Sequence, residues 1–290
     1  MPELPEVEIA ARNLRRWMSG RLVRAAEADA TAVVRPAGPR ALAALEGASA
    51  REVARVGKHL LLTFARGRGA KDLVGLWSHL GMTGKWLRRA PGAAPPRFSH
   101  ARLTLDDGSV VHYCDMRRFG RLRVVPGARF DEIPQLAALG PDPLRDGIDA
   151  DKLHARLARV RLPIKVALLD QTVLAGVGNI QATEACFRAR LDPRRRAASL
   201  TRAEVGRLAR AILASIEYTL ARFAQAGADA GDGDIVYVEE NRRANPFKVY
   251  GRAGAPCPRC GGRIQRIVQA QRSTFFCPAC LSPVARKTRR

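Results

Sequence analysis

Four cysteines near the C-terminus constrain this chain more than any other feature. They run Cys257-x-x-Cys260, then 16 residues, then Cys277-x-x-Cys280. Each two-residue knuckle lets a pair of thiolates from one tight turn meet a single ion. Two such pairs complete a tetrahedral four-cysteine zinc site. Gly261 and Gly262 follow the first pair and suit that turn. No His lies beyond His154, which argues against a mixed Cys/His site. About 25 residues cannot bury a core of their own, so one structural zinc is expected to stand in for it. Between the knuckles, 264–268 and 271–276 read as two strands of a hairpin, with Arg272 near its tip. The start, MPELPEVE, is acidic and has no basic n-region, so no secretory signal is read and a reducing, cytoplasmic setting is expected. That argues against disulfides. Cys114 and Cys186 stand alone and are expected to be small core residues.

Charge points to the partner. Fifty Lys and Arg stand against 27 Asp and Glu, a net +23. All but seven of the basic residues are Arg, which fits a GC-rich genome, but codon usage does not explain the shortage of acids. From Asn241 to the end there are 12 basic residues and no acidic one. A solvated face mixes signs, whereas a single-sign stretch suits a polyanion such as nucleic acid. No apolar run approaches the ~18 residues a membrane span needs.

The hydrophobic period changes once along the chain. Residues 5–18 read as a helix with Val7, Ala10, Leu14 and Trp17 on one face and Pro5 in the first turn. From about 21 to 125 the runs are short and strand-like, notably 59–64, 73–77, 101–105 and 109–113, with Asp107-Gly108 as a hairpin turn between the last two. Such spacing suggests a sandwich or barrel. From about 149 the period is helical, with helices expected over 153–160, 165–174, 179–189 and 202–223. Thr201-x-x-Glu204 forms a capping box for the last. A polar, Gly-rich stretch, 228–234, then separates the helices from the basic C-terminal module.

Two places carry candidate chemistry. Gly176 and Gly178 flank a turn before a helix, where bared amides and the positive dipole end suit a phosphate, with Asn179 as a further donor. Glycines in a helix–helix turn are also ordinary. Pro2 follows the initiator Met, and removal of Met1 would leave a secondary amine able to form an iminium with a sugar C1′. A helix N-terminus would lower the proton affinity of that amine, and Glu3 beside it suits proton transfer. A proline at position 2 is by itself also unremarked chemistry.

A resemblance separates these readings. The opening Pro2-Glu-Leu-Pro-Glu-Val-Glu8 resembles the N-terminal signature of the formamidopyrimidine-DNA glycosylases, bacterial enzymes that excise 8-oxoguanine and ring-opened purines. Further matches follow in order: Arg55-Val-Gly-Lys-His-Leu-Leu-Leu62, similar to the family's lysine strand; His79-Leu-Gly-Met-Thr-Gly84 and Asp115-Met-Arg-Arg-Phe-Gly120, similar to its intercalation loops; Leu169 to Ile180, similar to its helix–two-turns–helix motif; and the finger with Gln271-Arg272.

The resemblance implies an α+β chain: an N-terminal β-sandwich with a leading helix over 1–134, a helix–two-turns–helix domain over 135–228, a lesion-covering loop over 229–244, a four-cysteine zinc finger over 245–284 and a basic tail over 285–290. It implies base-excision repair by a glycosylase with abasic-site lyase activity, acting as a monomer on damaged double-stranded DNA near the nucleoid. Pro2 would be the Schiff-base nucleophile and Glu3 the general acid. Lys58 would serve β-elimination and Arg272 δ-elimination. Met82, Arg117 and Phe119 would fill the gap left by the flipped nucleotide. His100, Arg117, Arg159 or Arg161, and Asn179 would hold phosphates. Cys257, Cys260, Cys277 and Cys280 would hold zinc. The chain departs from the family pattern at Gln181, where Tyr is usual, and at 218–223, expected in the loop that covers the lesion. The alternatives are an endonuclease VIII-like enzyme acting on oxidised pyrimidines, whose start resembles PEGPE rather than PELPE, and a zinc protein that binds DNA without cutting it.

Overall fold

The computed structural model describes residues 2–31, 33–67, 72–225 and 245–281. The chain divides into two compact units. One is Met1–Leu139 with Leu220–Asn241, the other Gly140–Thr219 with Arg242–Arg290.

The first unit opens with helix α1 (Leu4–Met18). Pro5 sits in its first turn, where no helical N–H partner is lost. The Glu6 carboxylate reaches back to accept from the Glu3 N–H at 2.9 Å, half of a capping box. The expected apolar face is buried at Val7, Ala10, Leu14 and Trp17, while Arg12 and Arg16 stay exposed. The burial goes further than periodicity suggested, because every residue from Leu4 to Ala11 is buried.

Eight strands follow: β1 (Val23–Ala28), β2 (Ala48–Val56), β3 (His59–Arg66), β4 (Leu73–His79), β5 (Lys85–Arg89), β6 (Ser99–Leu105), β7 (Val110–Cys114) and β8 (Arg121–Pro126). They pair antiparallel as two four-stranded sheets, β2-β3-β4-β8 and β1-β6-β7-β5. The sheets face each other. Trp86 of β5 donates to the Ser78 hydroxyl of β4 at 3.1 Å, and Tyr113 of β7 donates to the His79 carbonyl of β4 at 3.3 Å. β3 is buried on both faces over most of its length, which is why it reads as a continuous apolar run rather than an alternation. Asp107-Gly108 makes the expected hairpin turn, with Gly108 at φ 78° and the Asp107 carboxylate accepting from Ser109 N–H at 3.0 Å. A short helix, α2 (Pro134–Ala137), closes this part.

In the second unit come α3 (Ala150–Leu157), α4 (Ile164–Ala167), α5 (Asn179–Arg188) and α6 (Arg202–Gln225) as far as Thr219, then the hairpin β9 (Gln265–Gln269) and β10 (Arg272–Phe276). α3 starts three residues earlier than expected because the Asp149 carboxylate caps it, accepting from the N–H groups of Asp151 and Lys152. The helix expected over 165–174 is a single turn. Asp170 accepts from Thr172 N–H at 2.9 Å, and the Gln171 amide bonds Leu169 O, Val177 O and Gly176 N–H. These side chains give the backbone local partners that compete with helix, so α4 ends and the chain turns twice. The capping box at the start of α6 is present, with Thr201 N–H on the Glu204 carboxylate at 2.9 Å and Glu204 N–H on the Thr201 hydroxyl at 3.3 Å. The helix expected over 202–223 is present as α6, so 218–223 lie in it and not in the lesion-covering loop that the resemblance suggested for this stretch. The Gly-rich stretch 228–234 lies outside the described residues. Among the described residues no helix is long and apolar enough to cross a membrane.

Candidate active site, phosphate contacts and metal centre

At the start of α1, Pro2 is buried, and Glu3 and Glu6 are 1% and 4% exposed. Burial, reinforced by the charge of Glu3, raises the Glu6 carboxyl to about 7. The turn that carries Lys58 is tied to the same helix. Arg55 bonds the Glu8 carboxylate at 2.8 Å through Nε and the Gly57 carbonyl at 3.0 Å through Nη1. Gly57 takes φ 57°, a left-handed value that favours glycine. Helix α1 and the Gly57-Lys58 turn are therefore joined through one buried guanidinium.

Two histidines border Lys58. His59 and His79 face each other across the β3–β4 register, their rings 5.0 Å apart. Burial, then the neighbouring positive charges, Lys58 among them, lower His59 to about 3 and His79 to about 4. Both accept a hydrogen bond at Nδ1, His59 from the Trp77 indole at 3.2 Å and His79 from Gly81 N–H at 3.1 Å. Each is thus neutral with its hydrogen on Nε2. Sequence reading missed this pair, which follows from strand register rather than from any local motif.

The loops after β4 and β7 are locked together. The fully buried Asp115 carboxylate accepts from the Thr83 hydroxyl at 2.5 Å, from Arg117 N–H at 3.2 Å and from Gly120 N–H at 2.7 Å. Gly81, at φ 62°, packs so closely on the Phe119–Gly120 backbone that a Cβ there would clash. The joined loops expose Phe119 at 54% and leave Met82 half-buried, with Arg117 stacked 4.7 Å over the Phe119 ring. Met116 is exposed at 58% in the same loop and was not singled out from sequence. His100 bonds Asp29 and the Asp115 carbonyl.

In the second unit, Asn179 opens α5. Its side-chain amide donates to the Ser273 carbonyl at 3.0 Å and the Tyr250 hydroxyl at 3.4 Å, so it joins the helix–turn motif to the finger hairpin. Tyr250 was not foreseen, since only its place in the fold marks it. Arg272 begins β10 and is exposed, after Ala270 and Gln271, which turn the hairpin at φ 45° and 60°. Arg159 and Arg161 are exposed beyond α3. Gln181 is fully buried, donating to Thr219 at 3.0 Å and accepting from Ser215 at 2.7 Å, both on α6. The buried Glu184 accepts the N–H groups of Lys248, Val249 and Tyr250 at 2.8–3.0 Å, which anchors the turn leading into the finger.

The sulfurs of Cys257, Cys260, Cys277 and Cys280 all lie within 4.8 Å of one another, three of the pairs separated by 3.3–3.7 Å. Tetrahedral zinc with ~2.3 Å bonds to sulfur needs separations of about 3.8 Å. The donor set therefore fits one structural zinc. Gly261 turns the first knuckle at φ 74°. Cys114 and Cys186 are buried, as expected.

Pro2, Glu3, Lys58, Met82, His100, Arg117 and Phe119 belong to the first unit. Arg159, Arg161, Asn179, Arg272 and the four cysteines belong to the second.

Three family models match in chain order: the formamidopyrimidine-DNA glycosylase N-terminal domain over 1–122, the formamidopyrimidine-DNA glycosylase H2TH domain over 139–227, and the zinc finger found in FPG and IleRS over 254–283. The formamidopyrimidine-DNA glycosylase of Laribacter hongkongensis is 43% identical over 282 residues, covering 97% of this chain and 99% of that protein. A MutM structure bound to DNA containing carbocyclic 8-oxo-G superposes with TM-score 0.81 at 30% identity, covering 97% of this chain and all of the other. The Lactococcus lactis Fpg bound to DNA with an abasic site superposes with TM-score 0.79 at 30% identity, covering 97% and 99%.

Proposed function

The chain belongs to the formamidopyrimidine-DNA glycosylase family, and from that premise we propose how its residues divide the work. It is a base-excision repair enzyme that removes oxidised purines from DNA and cleaves the resulting abasic site. Its cofactor is one zinc, held by the four cysteines, whose part is to fold the finger.

The single observation behind the division of roles is the packing at the start of α1. Pro2 and Glu3 are buried at a helix N-terminus, and Arg55 ties that helix to the Lys58 turn. With Met1 removed, the Pro2 amine attacks C1′ and the base leaves with its bonding electrons. Loss of the amine proton then gives an iminium to the opened sugar, whose ring oxygen takes a proton from Glu3. The iminium draws electrons from C2′, and proton loss there expels the 3′ phosphate. A second elimination expels the 5′ phosphate, so a one-nucleotide gap remains. Lys58 assists the first elimination and Arg272 the second. Met82, Arg117 and Phe119 occupy the vacated stack, Phe119 by stacking and Arg117 by hydrogen-bonding the orphaned base. His100, Arg117, Asn179 and one of Arg159 and Arg161 hold phosphates. The excess positive charge keeps the enzyme on bulk DNA, hence on the nucleoid. We divide the chain functionally at 134, 228, 244 and 284.

Borohydride trapping on an abasic-site duplex tests the nucleophile. The wild-type chain yields a covalent adduct, and Pro2→Gly loses adduct and strand cleavage far more than DNA affinity. Cleavage by the variant at the wild-type rate would overturn the role of Pro2. Comparing 8-oxoguanine with thymine glycol as substrates sets the purine preference against the pyrimidine one.

A further inference from the structure

His100 has an arrangement that its reading as a phosphate contact does not explain. Its side chain is 10% exposed, and both ring nitrogens face acceptors. Nδ1 lies 2.7 Å from Oδ2 of Asp29, and Nε2 lies 2.9 Å from the Asp115 carbonyl oxygen. A carboxylate and a backbone carbonyl only accept, so both bonds together require hydrogen on both nitrogens, which is the charged ring.

Asp29 is itself held in place. Its second oxygen accepts from Thr31 N–H at 3.0 Å and from the Thr31 hydroxyl, which fixes the carboxylate with Oδ2 toward the ring. Partial burial opposes ionisation of Asp29, but the bonds from His100 and Thr31 outweigh it and hold the carboxyl below the usual range. The other charged groups around this face are the Glu27–Arg102 pair linking β1 to β6 at 2.6 Å, and the Asp115 carboxylate, whose oxygens are turned to Thr83, Arg117 and Gly120. An open groove of about 420 Å³, lined by Asp29, Pro95, Phe98 and His100 among others, leads to the ring.

We propose that Asp29 is a positioning residue for DNA binding: it keeps His100 doubly protonated, so that a DNA phosphate oxygen replaces the Asp115 carbonyl at Nε2 while Nδ1 stays on Asp29. The exchange goes this way because a phosphate anion is a stronger acceptor than a neutral carbonyl, whereas at Nδ1 it would displace another anion. The carbonyl that is released belongs to the residue whose carboxylate organises the loop of Arg117 and Phe119. Capture of the backbone thus reaches that loop through one peptide unit. The proposal rests on the reading of His100 as a phosphate contact.

The test uses the zinc-loaded full chain and a duplex with a tetrahydrofuran abasic analogue for affinity, with an abasic-site duplex for kcat and KM. His100→Gln alone tests the phosphate reading and should weaken affinity. Asp29→Asn should weaken affinity about 5-fold, as suits a part-exposed charge pair. It should raise KM with kcat unchanged and leave the melting temperature in place, and Asp29→Glu should restore most of the loss. Ring ¹⁵N signals should show hydrogen on both nitrogens in wild type and a bare nitrogen in Asp29→Asn. In a His100→Gln background, Asp29→Asn should add nothing. Normal binding by His100→Gln would overturn the phosphate reading and the proposal with it. Weakened binding by His100→Gln with normal binding by Asp29→Asn, or an equal Asp29 effect in both backgrounds, would overturn the proposal alone.

Discussion

Two carboxyl groups in the first turn of one buried helix cannot both ionise at low cost. Glu3 lies at the cap of α1 and Glu6 three residues on, and burial with the charge of Glu3 lifts Glu6 to about 7. Near pH 4.5 and below, Glu6 is protonated in the folded and unfolded chain alike. Between about 4.5 and 7 the unfolded chain ionises while the folded one keeps its proton, so stability falls as pH rises across that window. The loss is of order 3 kcal/mol. Glu6→Gln keeps an acceptor for the Glu3 N–H and removes the titration. Urea melts at pH 5 and pH 8 isolate this group through the difference between the two proteins: Glu6→Gln should gain about 2–3 kcal/mol on wild type as pH rises across that interval. A difference that does not change with pH would place the titration elsewhere. At this scale the sequence speaks wherever a motif is local: Pro2, Glu3, Lys58 and the loop residues are proposed from contiguous signatures. Tyr250 and Met116 were not, because nothing in their neighbours marks them.

Elements brought in what local motifs omit. Strand register sets His59 opposite His79, two positions 20 residues apart that no periodicity links. Both are held neutral, so below about pH 6.5 the unfolded chain takes up protons that the folded one refuses. Stability is therefore lost as pH falls from 6.5 toward 4, with a slope near 1.4 kcal/mol per pH unit for each ring. His79→Asn keeps an acceptor for Gly81 N–H and should remove about one proton's worth of that slope in melts between pH 4 and 6.5. An unchanged slope would count against it. The helix expected over 165–174 failed for a related reason: the pattern was right, but the Asp170 and Gln171 side chains outbid the helical hydrogen bonds. Gln181 looked like a defect in a familiar motif. Its amide bonds Ser215 and Thr219 on α6, so the departure is matched by polar partners further along the chain. Glu184 ties α5 to the finger segment through three backbone N–H groups. Glu184→Ala strips three N–H groups, that of Val249 buried and those of Lys248 and Tyr250 partly so, of their acceptor and should cost about 3 kcal/mol. Glu184→Gln, which keeps one acceptor oxygen, should cost less. Calorimetry of both variants measures the difference, and an alanine variant as stable as wild type would refute the anchor.

For the whole molecule, net charge and metal act on different quantities, and a single variant separates them. The +23 excess predicts DNA affinity that falls steeply with salt, by a slope of about 0.9 per phosphate neutralised in a plot of log affinity against log salt. Part of that slope belongs to the finger, whose segment from Asn241 onward has no acidic residue. The finger's own core is small: Val249, Ile264 and Phe275 with two of the cysteines, packed with Phe187 of α5. It cannot persist without the ion that draws four thiolates together. The sandwich has a separate core, built on β3, β4 and α1, that contains no metal ligand. Cys277→Ser should therefore lower bound zinc from about one per chain to near none, weaken DNA binding about tenfold or more, and flatten the salt slope by at least one phosphate. The pH-dependent loss of stability assigned to Glu6 should survive, since that carboxyl lies in the sandwich. Metal analysis, salt titrations and melts on the one variant give all three readings. A metal-free chain with the full salt slope would mean that phosphate binding resides outside the finger. Loss of the Glu6 signature together with the metal would mean that the two units do not fold on separate cores.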